Sequence, residues 1–212
     1  MTQVKICGLT EAAGFDTAIE MEADYVGLVF YPPSPRYVSF EQAAGLARRP
    51  RGGTRLVGLF VAPEIERVSA VLQSVPLDIL QIYGSTDLVA SVRARFGCPV
   101  WRQLGVSGVE EFPAPDEVAD GFVVEAKPPA GASRPGGNGV LADWALLSGF
   151  QPARPWLLAG GLTPENVAAA VERVGAPGVD VSSGVETAPG QKSPALIRRF
   201  IQAARTHGHA LK

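Results

Sequence analysis

Cys7 closes the short apolar run at residues 4–8, and the glycine that follows turns the chain toward a helix start at Thr10. A thiol at such a turn points into whatever pocket the later loops build, where its thiolate would act as a nucleophile or a base. An unpaired cysteine is equally a small buried apolar residue, so its surroundings decide. Glu125 interrupts the apolar run 121–127. A carboxylate there is costly unless it faces the mouth of a cavity or pairs with Lys127. In the first case its pKa rises far enough for it to donate a proton; in the second it is a structural ion pair. Arg36, in Ser34-Pro35-Arg36-Tyr37, offers a planar fork that holds a carboxylate by two hydrogen bonds, or is an exposed loop arginine.

Glycine-rich turns supply a different chemistry. Gly136-Gly137-Asn138-Gly139, Ala159-Gly160-Gly161-Leu162 and Asp180-Val181-Ser182-Ser183-Gly184-Val185-Glu186 each follow an apolar run. One such turn merely closes a tight connection. Several on consecutive units let the backbone N–H groups of Gly137, Asn138, Gly139, Gly160, Gly161, Ser182, Ser183 and Gly184 converge on a phosphate. Three residues are expected in support. Lys5 lies two residues before Cys7, hence on the same strand face, where it lowers the thiol pKa or pairs within the core. Tyr83 ends the fourth run, and Asp180 is expected to orient backbone or a hydroxyl, since an anion beside a phosphate is unfavourable. His207 and His209 flank a glycine without carboxylate or cysteine support, a poor metal set, and no metal is expected. Trp101, Trp144 and Trp156 are expected to pack between sheet and helices.

The elements that must hold these groups alternate. Apolar, β-branched runs occupy residues 4–8, 25–31, 55–61, 79–84, 100–106, 121–127, 156–161 and 178–185. Helix-like stretches lie between most of them, at 10–21, 39–48, 64–72, 86–96, 141–147, 164–174 and 193–206. The stretch 106–119 contains Pro113 and Pro115 and reads as one short turn. Near-continuous apolar strands suit a parallel sheet covered by helices, and eight units of roughly 26 residues fit a small (β/α)8 TIM barrel. An open doubly wound α/β sheet is the alternative, disfavoured because the first strand-to-helix turn lacks Rossmann and P-loop fingerprints. Nothing divides the chain, so residues 1–212 are expected to form one domain. Thr10, Ser39 and Thr163 read as helix caps, Ser39 with capping-box spacing to Gln42.

Composition narrows the partners. With 46% hydrophobic and 19% charged residues the chain can bury a substantial core. A net charge of −2 gives no basic field for nucleic acid or anionic lipid, so any phosphate binding is local. The first strand begins too early to leave room for a leader, and no apolar run approaches the length of a membrane span. A cytoplasmic protein is expected, with Cys7 and Cys98 reduced, and a monomeric or homodimeric state.

Read in order, Lys5-Ile6-Cys7-Gly8-Leu9-Thr10, Gly27-Leu28-Val29-Phe30, Ser34-Pro35-Arg36-Tyr37-Val38, Leu80-Gln81-Ile82-Tyr83-Gly84, the three glycine turns and the closing Ser182-Ser183-Gly184-Val185-Glu186 resemble the phosphoribosylanthranilate isomerase family over nearly the whole chain. The resemblance implies a cofactor-free Amadori rearrangement in tryptophan biosynthesis, in which N-(5-phosphoribosyl)anthranilate becomes the corresponding 1-deoxyribulose 5-phosphate. It implies a small phosphoribosyl substrate, the base at Cys7, the acid at Glu125, the anthranilate carboxylate on Arg36, and the phosphate in the loops after strands six to eight. The chain departs from the family where aspartate is usual at Glu125, histidine at Tyr83 and threonine at Asn138. A paralogue acting on another phosphoribosyl aminoaldose and a non-catalytic phosphoribosyl-ligand binder are the alternatives.

Overall fold

The computed structural model describes residues 1–127 and 143–206. Strands form at all eight apolar runs: β1 Gln3–Cys7, β2 Tyr25–Val29, β3 Arg55–Val61, β4 Ile79–Tyr83, β5 Val100–Val106, β6 Gly121–Ala126, β7 Trp156–Leu158 and β8 Gly178–Val181. Each pairs in parallel with the next, and β8 returns to β1 through Gln3↔Gly178 to Ile6↔Val181, closing a barrel. Closure removes the sheet edges that an open doubly wound arrangement would leave.

The two faces of each strand go to different cores. Outward residues such as Val4, Ile6, Val26, Leu28, Leu56, Phe60, Leu80, Ile82 and Val124 are buried under the helices. These are α1 Ala12–Glu20, α2 Phe40–Ala47, α3 Ile65–Ser74, α4 Thr86–Arg95, α5 Trp144–Leu147, α6 Val167–Val174 and α7 Pro194–Thr206. α7 buries Ile197, Phe200, Ile201 and Ala204, the i, i+3, i+4, i+7 stripe of one helical face. At roughly 1.5–3 kcal/mol for each large side chain, this stripe holds α7 between α1 and α6 and completes the helical ring.

Inward residues fill the barrel in layers, so it is a packed core and not a pore. Tyr25, Val57, Ile79, Trp101, Val123, Leu157 and Ala159 form the apolar plug. Trp101 stands edge-on to Tyr25 with ring centroids 5.0 Å apart. It therefore packs inside the barrel, against the expectation of a place between strands and helices, because its register on β5 points inward. Trp156 does face outward, against Phe150. Above the plug, at the carboxyl ends of the strands, Cys7, Val29 and Leu59 form a small cluster joined by Tyr31, Val61 and Tyr83.

The connections match in outline and differ in detail. The proline-bearing stretch after β5 makes only a single 3-10 turn, Val109–Glu111. Ser39 caps α2 with a full capping box, its hydroxyl accepting from Gln42 N. Thr10 does not cap α1: its hydroxyl donates to Gly190 O at 3.2 Å, and Glu11 occupies the cap position without a side-chain bond. The competitor is a feature that periodicity did not reveal, a short antiparallel hairpin of β9 Glu186–Ala188 and β10 Gln191–Lys192 between β8 and α7. Thr163 accepts at its hydroxyl from Glu165 N and at its carbonyl from Val167 N, so it opens the turn that leads into α6. Among the described residues no helix is long and apolar enough to cross a membrane.

Candidate active site

The carboxyl ends of the strands surround an open-mouthed cavity of about 780 Å³, counting the solvent at its mouth. That size suits a sugar phosphate carrying an aromatic ring. Cys7, Arg36, Tyr83, Glu125, Gly160, Gly161, Asp180, Ser182 and Ser183 all line it. Lys5 and Gly184 do not line it. Gly137, Asn138 and Gly139 lie outside the described residues, as do His207 and His209.

Cys7 ends β1 and is almost wholly buried. Both cysteines are free. Burial pushes the Cys7 thiol above its ordinary pKa, and the Lys5 charge one pleat below offsets only part of that rise. Lys5 thus pulls in the expected direction but does not win. It is fully buried, and its Nζ donates a hydrogen bond to Asp180 Oδ1 at 2.8 Å. Burial works against its charge, yet Asp180 and Cys7 together hold its pKa above the usual lysine value. Asp180, expected to orient backbone or a hydroxyl, is instead the counter-ion of this lysine. Their strands are neighbours, with Lys5↔Asp180 in register, so the two side chains meet inside the barrel.

Glu125 comes up from β6 on the opposite side. It does not pair with Lys127, whose ammonium bonds Glu111 at the surface. Residues 125 and 127 would share a face of a continuing strand, but β6 ends at Ala126 and the Lys127 side chain beyond it is exposed. Glu125 Oε1 accepts from Gln103 Nε2 at 2.9 Å and from Tyr83 OH at 3.2 Å. Gln103 Oε1 in turn accepts from Gln81 Nε2 at 2.7 Å. Burial, with Glu125 and Cys7 nearby, holds the Tyr83 hydroxyl well above its ordinary pKa, so it stays a neutral donor.

Arg36 reaches the cavity from the loop after β2 and is buried. Gly8 makes room for it: the backbone there has φ +75°, and an added Cβ would sit 2.6 Å from Arg36 Cδ. The fork is already gripped, since Nε and Nη2 donate to the two Glu186 oxygens at 2.7 and 2.8 Å. Lys192 Nζ donates to Glu186 Oε1 at 2.7 Å. Burial alone would raise the Glu186 pKa, but Arg36 and Lys192 bring it below the usual carboxylate range.

The wall facing Arg36 is backbone. Gly160 and Gly161 have φ of +87° and +63°, and Asn166 locks the turn by donating to Gly161 O and accepting from Thr163 N. Ser182 and Ser183 begin the 3-10 turn Ser183–Val185 beside it. Two of the proposed phosphate ligands are changed by their surroundings. The Ser182 hydroxyl is committed to donating to Cys7 O at 3.1 Å, leaving the residue's main chain for an anion. Gly184 is a packing residue, because an added Cβ would lie 1.8 Å from Leu162 O.

Gln81, Gln103, Glu186 and Lys192 were not among the site residues read from sequence. Gln81 and Gln103 had a usable signal, a polar side chain at an inward position of an otherwise apolar strand. Glu186 closed a motif, whereas Lys192, in a two-residue strand, had no local mark. Among the described residues no group of His, Cys, Asp and Glu could hold a metal ion.

Residues 4–203 match the family model described as N-(5'phosphoribosyl)anthranilate (PRA) isomerase. The chain is 51% identical over 207 residues to the N-(5'-phosphoribosyl)anthranilate isomerase of Acidiphilium cryptum, covering 96% of this chain and 98% of that one. It is 52% identical over 206 residues to the protein of the same name from Paracoccus denitrificans, covering 95% and 96%. Among solved structures it resembles phosphoribosyl anthranilate isomerase from Thermotoga maritima, with TM-score 0.82 at 33% identity over 97% of this chain and 99% of that one. A phosphoribosyl anthranilate isomerase in complex with reduced 1-(o-carboxyphenylamino)-1-deoxyribulose 5-phosphate matches with TM-score 0.81 at 32% identity, covering 97% and 99%. A closed barrel with a thiol, a carboxyl and an arginine around one cavity, matched along almost its full length, makes this chain a member of the N-(5'-phosphoribosyl)anthranilate isomerase family.

Proposed function

We propose that the chain catalyses the reaction for which its family is named, the Amadori rearrangement of N-(5'-phosphoribosyl)anthranilate in tryptophan biosynthesis, acting as a cytoplasmic enzyme on this small substrate. The observation that carries this reading is the placing of Cys7 and Glu125 on one cavity wall system with Arg36 and the Gly160, Gly161, Ser183 turns.

The chemistry needs one proton given and one taken. Glu125 gives its proton to the furanose ring oxygen, the C1–O bond breaks, and the nitrogen lone pair forms the Schiff base. Cys7, as thiolate, removes the proton from C2, and the electron pair moves into the C1–C2 bond to give an enolamine. Tautomerisation, with a proton gained at C1 and one lost from the C2 oxygen, yields the ketose. Substrate and product are isomers, so no cofactor is required. Arg36 receives the anthranilate carboxylate, and the backbone turns after β7 and β8 receive the phosphate, together with Gly137, Asn138 and Gly139. With both charged ends held, the sugar lies between the thiol and the carboxyl.

The test is turnover of freshly made phosphoribosylanthranilate, followed by loss of its fluorescence. Cys7→Ala and Glu125→Gln are each expected to lower turnover by orders of magnitude while leaving binding of the reduced product analogue intact. Wild-type protein that binds the analogue tightly without turnover would place this chain among binders and overturn the catalytic reading. Activity restricted to another aminoaldose would assign it to a paralogue.

A further inference from the structure

Behind Arg36 lies a buried group that neither gives nor takes a proton in the reaction. The Arg36, Glu186 and Lys192 side chains are 8, 5 and 0% exposed. A guanidinium carries five N–H donors. Glu186 occupies one on Nε and one on Nη2, leaving both on Nη1 and the second on Nη2. Lys192 Nζ has three acceptors, Glu186 Oε1 at 2.7 Å, Ser182 O at 2.9 Å and Ser182 Oγ at 3.1 Å. These match the three N–H donors of an ammonium, so none is left for a ligand. Ser182 Oγ passes its own proton to Cys7 O at 3.1 Å. Arg36 lines the cavity, whereas Glu186 and Lys192 do not. Two cations and one anion leave a single net positive charge, and it meets the cavity through Arg36.

We infer that Glu186 and Lys192 are positioning residues that select the ligand by the span between its two anionic ends. Glu186 takes one side of the fork and turns the free end of Arg36, with Nη1, toward the aglycone carboxylate. Lys192 ties Glu186 to the Ser182 loop, so the arginine at one end and the phosphate turn at the other are fixed relative to each other by one ammonium. The same link reaches the main chain of Cys7, which lies between them. This inference rests on the proposed role of Arg36 as receiver of the aglycone carboxylate. It adds that Arg36 works only while Glu186 holds it.

The experiment compares two ligands by calorimetry: reduced 1-(o-carboxyphenylamino)-1-deoxyribulose 5-phosphate and its counterpart lacking the carboxyl group. Wild-type protein is expected to prefer the carboxylated ligand on the order of 10- to 100-fold, the worth of a hydrogen bond to a charged group. Glu186→Gln is expected to remove most of that preference while binding the carboxyl-free ligand nearly as wild type does. Lys192→Met is expected to weaken both ligands and to shrink their ratio, because Glu186 then no longer holds Arg36 in place. Loss of stability alone would weaken the two ligands alike and leave their ratio unchanged. Glu186→Asp keeps the charge but shortens the reach; it is the second variant if the glutamine form does not fold, and it is expected to fold without recovering the preference. A folded Glu186 variant with the full wild-type preference overturns the positioning role and leaves that of Arg36 standing. Wild-type protein indifferent to the carboxyl group overturns the reading of Arg36, and this inference with it.

Discussion

The two halves of the cavity are built from different chemistry. Around β1, β8, the loop after β2 and the hairpin β9–β10, charges are paired tightly: Lys5 with Asp180, and Arg36 and Lys192 with Glu186. Around β4, β5 and β6, Glu125 accepts hydrogen bonds from an amide and a phenol. The difference follows from what each half must do. An anionic substrate end needs a fixed cation, and a cation stays fixed in a buried site only when a carboxylate holds it. An acid must be held in place, and hydrogen bonds from neutral donors do this while favouring the ionised form less strongly than charged donors do.

The largest effect expected from disturbing this division is on the Glu125 side. Glu125→Gln keeps the shape and removes the acid, so kcat is expected to fall on the order of 10²- to 10⁴-fold, while the reduced product analogue binds within a few-fold of wild type. A fall in affinity as large as the fall in kcat would show that Glu125 serves binding, and the two halves would no longer differ in role. On the charged side, Asp180→Asn leaves the Lys5 ammonium buried without its counter-ion. Urea unfolding is expected to show a loss of about 3–5 kcal/mol, much of it recovered in the double variant Lys5→Met with Asp180→Leu. No recovery would mean that the intact pair itself stabilises the fold, beyond answering one buried charge.

The pH dependence probes the boundary between the halves. In the proposed mechanism the active form has Glu125 protonated and Cys7 ionised, so kcat/KM is expected to fall at alkaline pH once the last proton shared by the two is lost. Burial of Cys7 raises its pKa, which moves that alkaline limb upward. The plateau is therefore expected to extend past the ordinary thiol value, and Lys5→Met to carry it further up while lowering the rate. A limb below the ordinary thiol value would mean that Lys5 outweighs burial after all. Tyr83→Phe removes one of the donors to Glu125 and is expected to cost about 0.5–1.5 kcal/mol in activation free energy, read as a several-fold drop in kcat. The smallest effect belongs outside both halves. Lys127→Met breaks an exposed pair with Glu111 and is expected to leave the urea-unfolding midpoint and turnover unchanged.

Much of this was written in local pattern. The eight apolar runs became the eight strands within a few residues, because a strand buried on both faces must be apolar along its length. Cys7, Glu125 and the turns at Gly160–Gly161 and Ser182–Ser183 could be placed at the strand ends from chain order alone, since a barrel puts every strand-to-helix turn on one rim. Thr10 and Trp101 were misread for one shared reason. The Thr10 hydroxyl was drawn to Gly190 and the Trp101 ring to Tyr25, partners 180 and 76 residues away in sequence, so no local rule reaches them.

Sequence by itself determined which residues sit at the rim and what each could do alone: a thiol to take a proton, a carboxyl to give one, a guanidinium to hold a carboxylate. Tertiary structure decided how strongly each can do it. Whether Lys5 frees the thiol depends on how deeply both are buried and on Asp180, 175 residues along the chain. Which side of Arg36 remains for a ligand depends on Glu186, 150 residues away. Charge and hydrogen bonding act over a few ångströms of space, and closing the barrel is what brings such distant positions within that range.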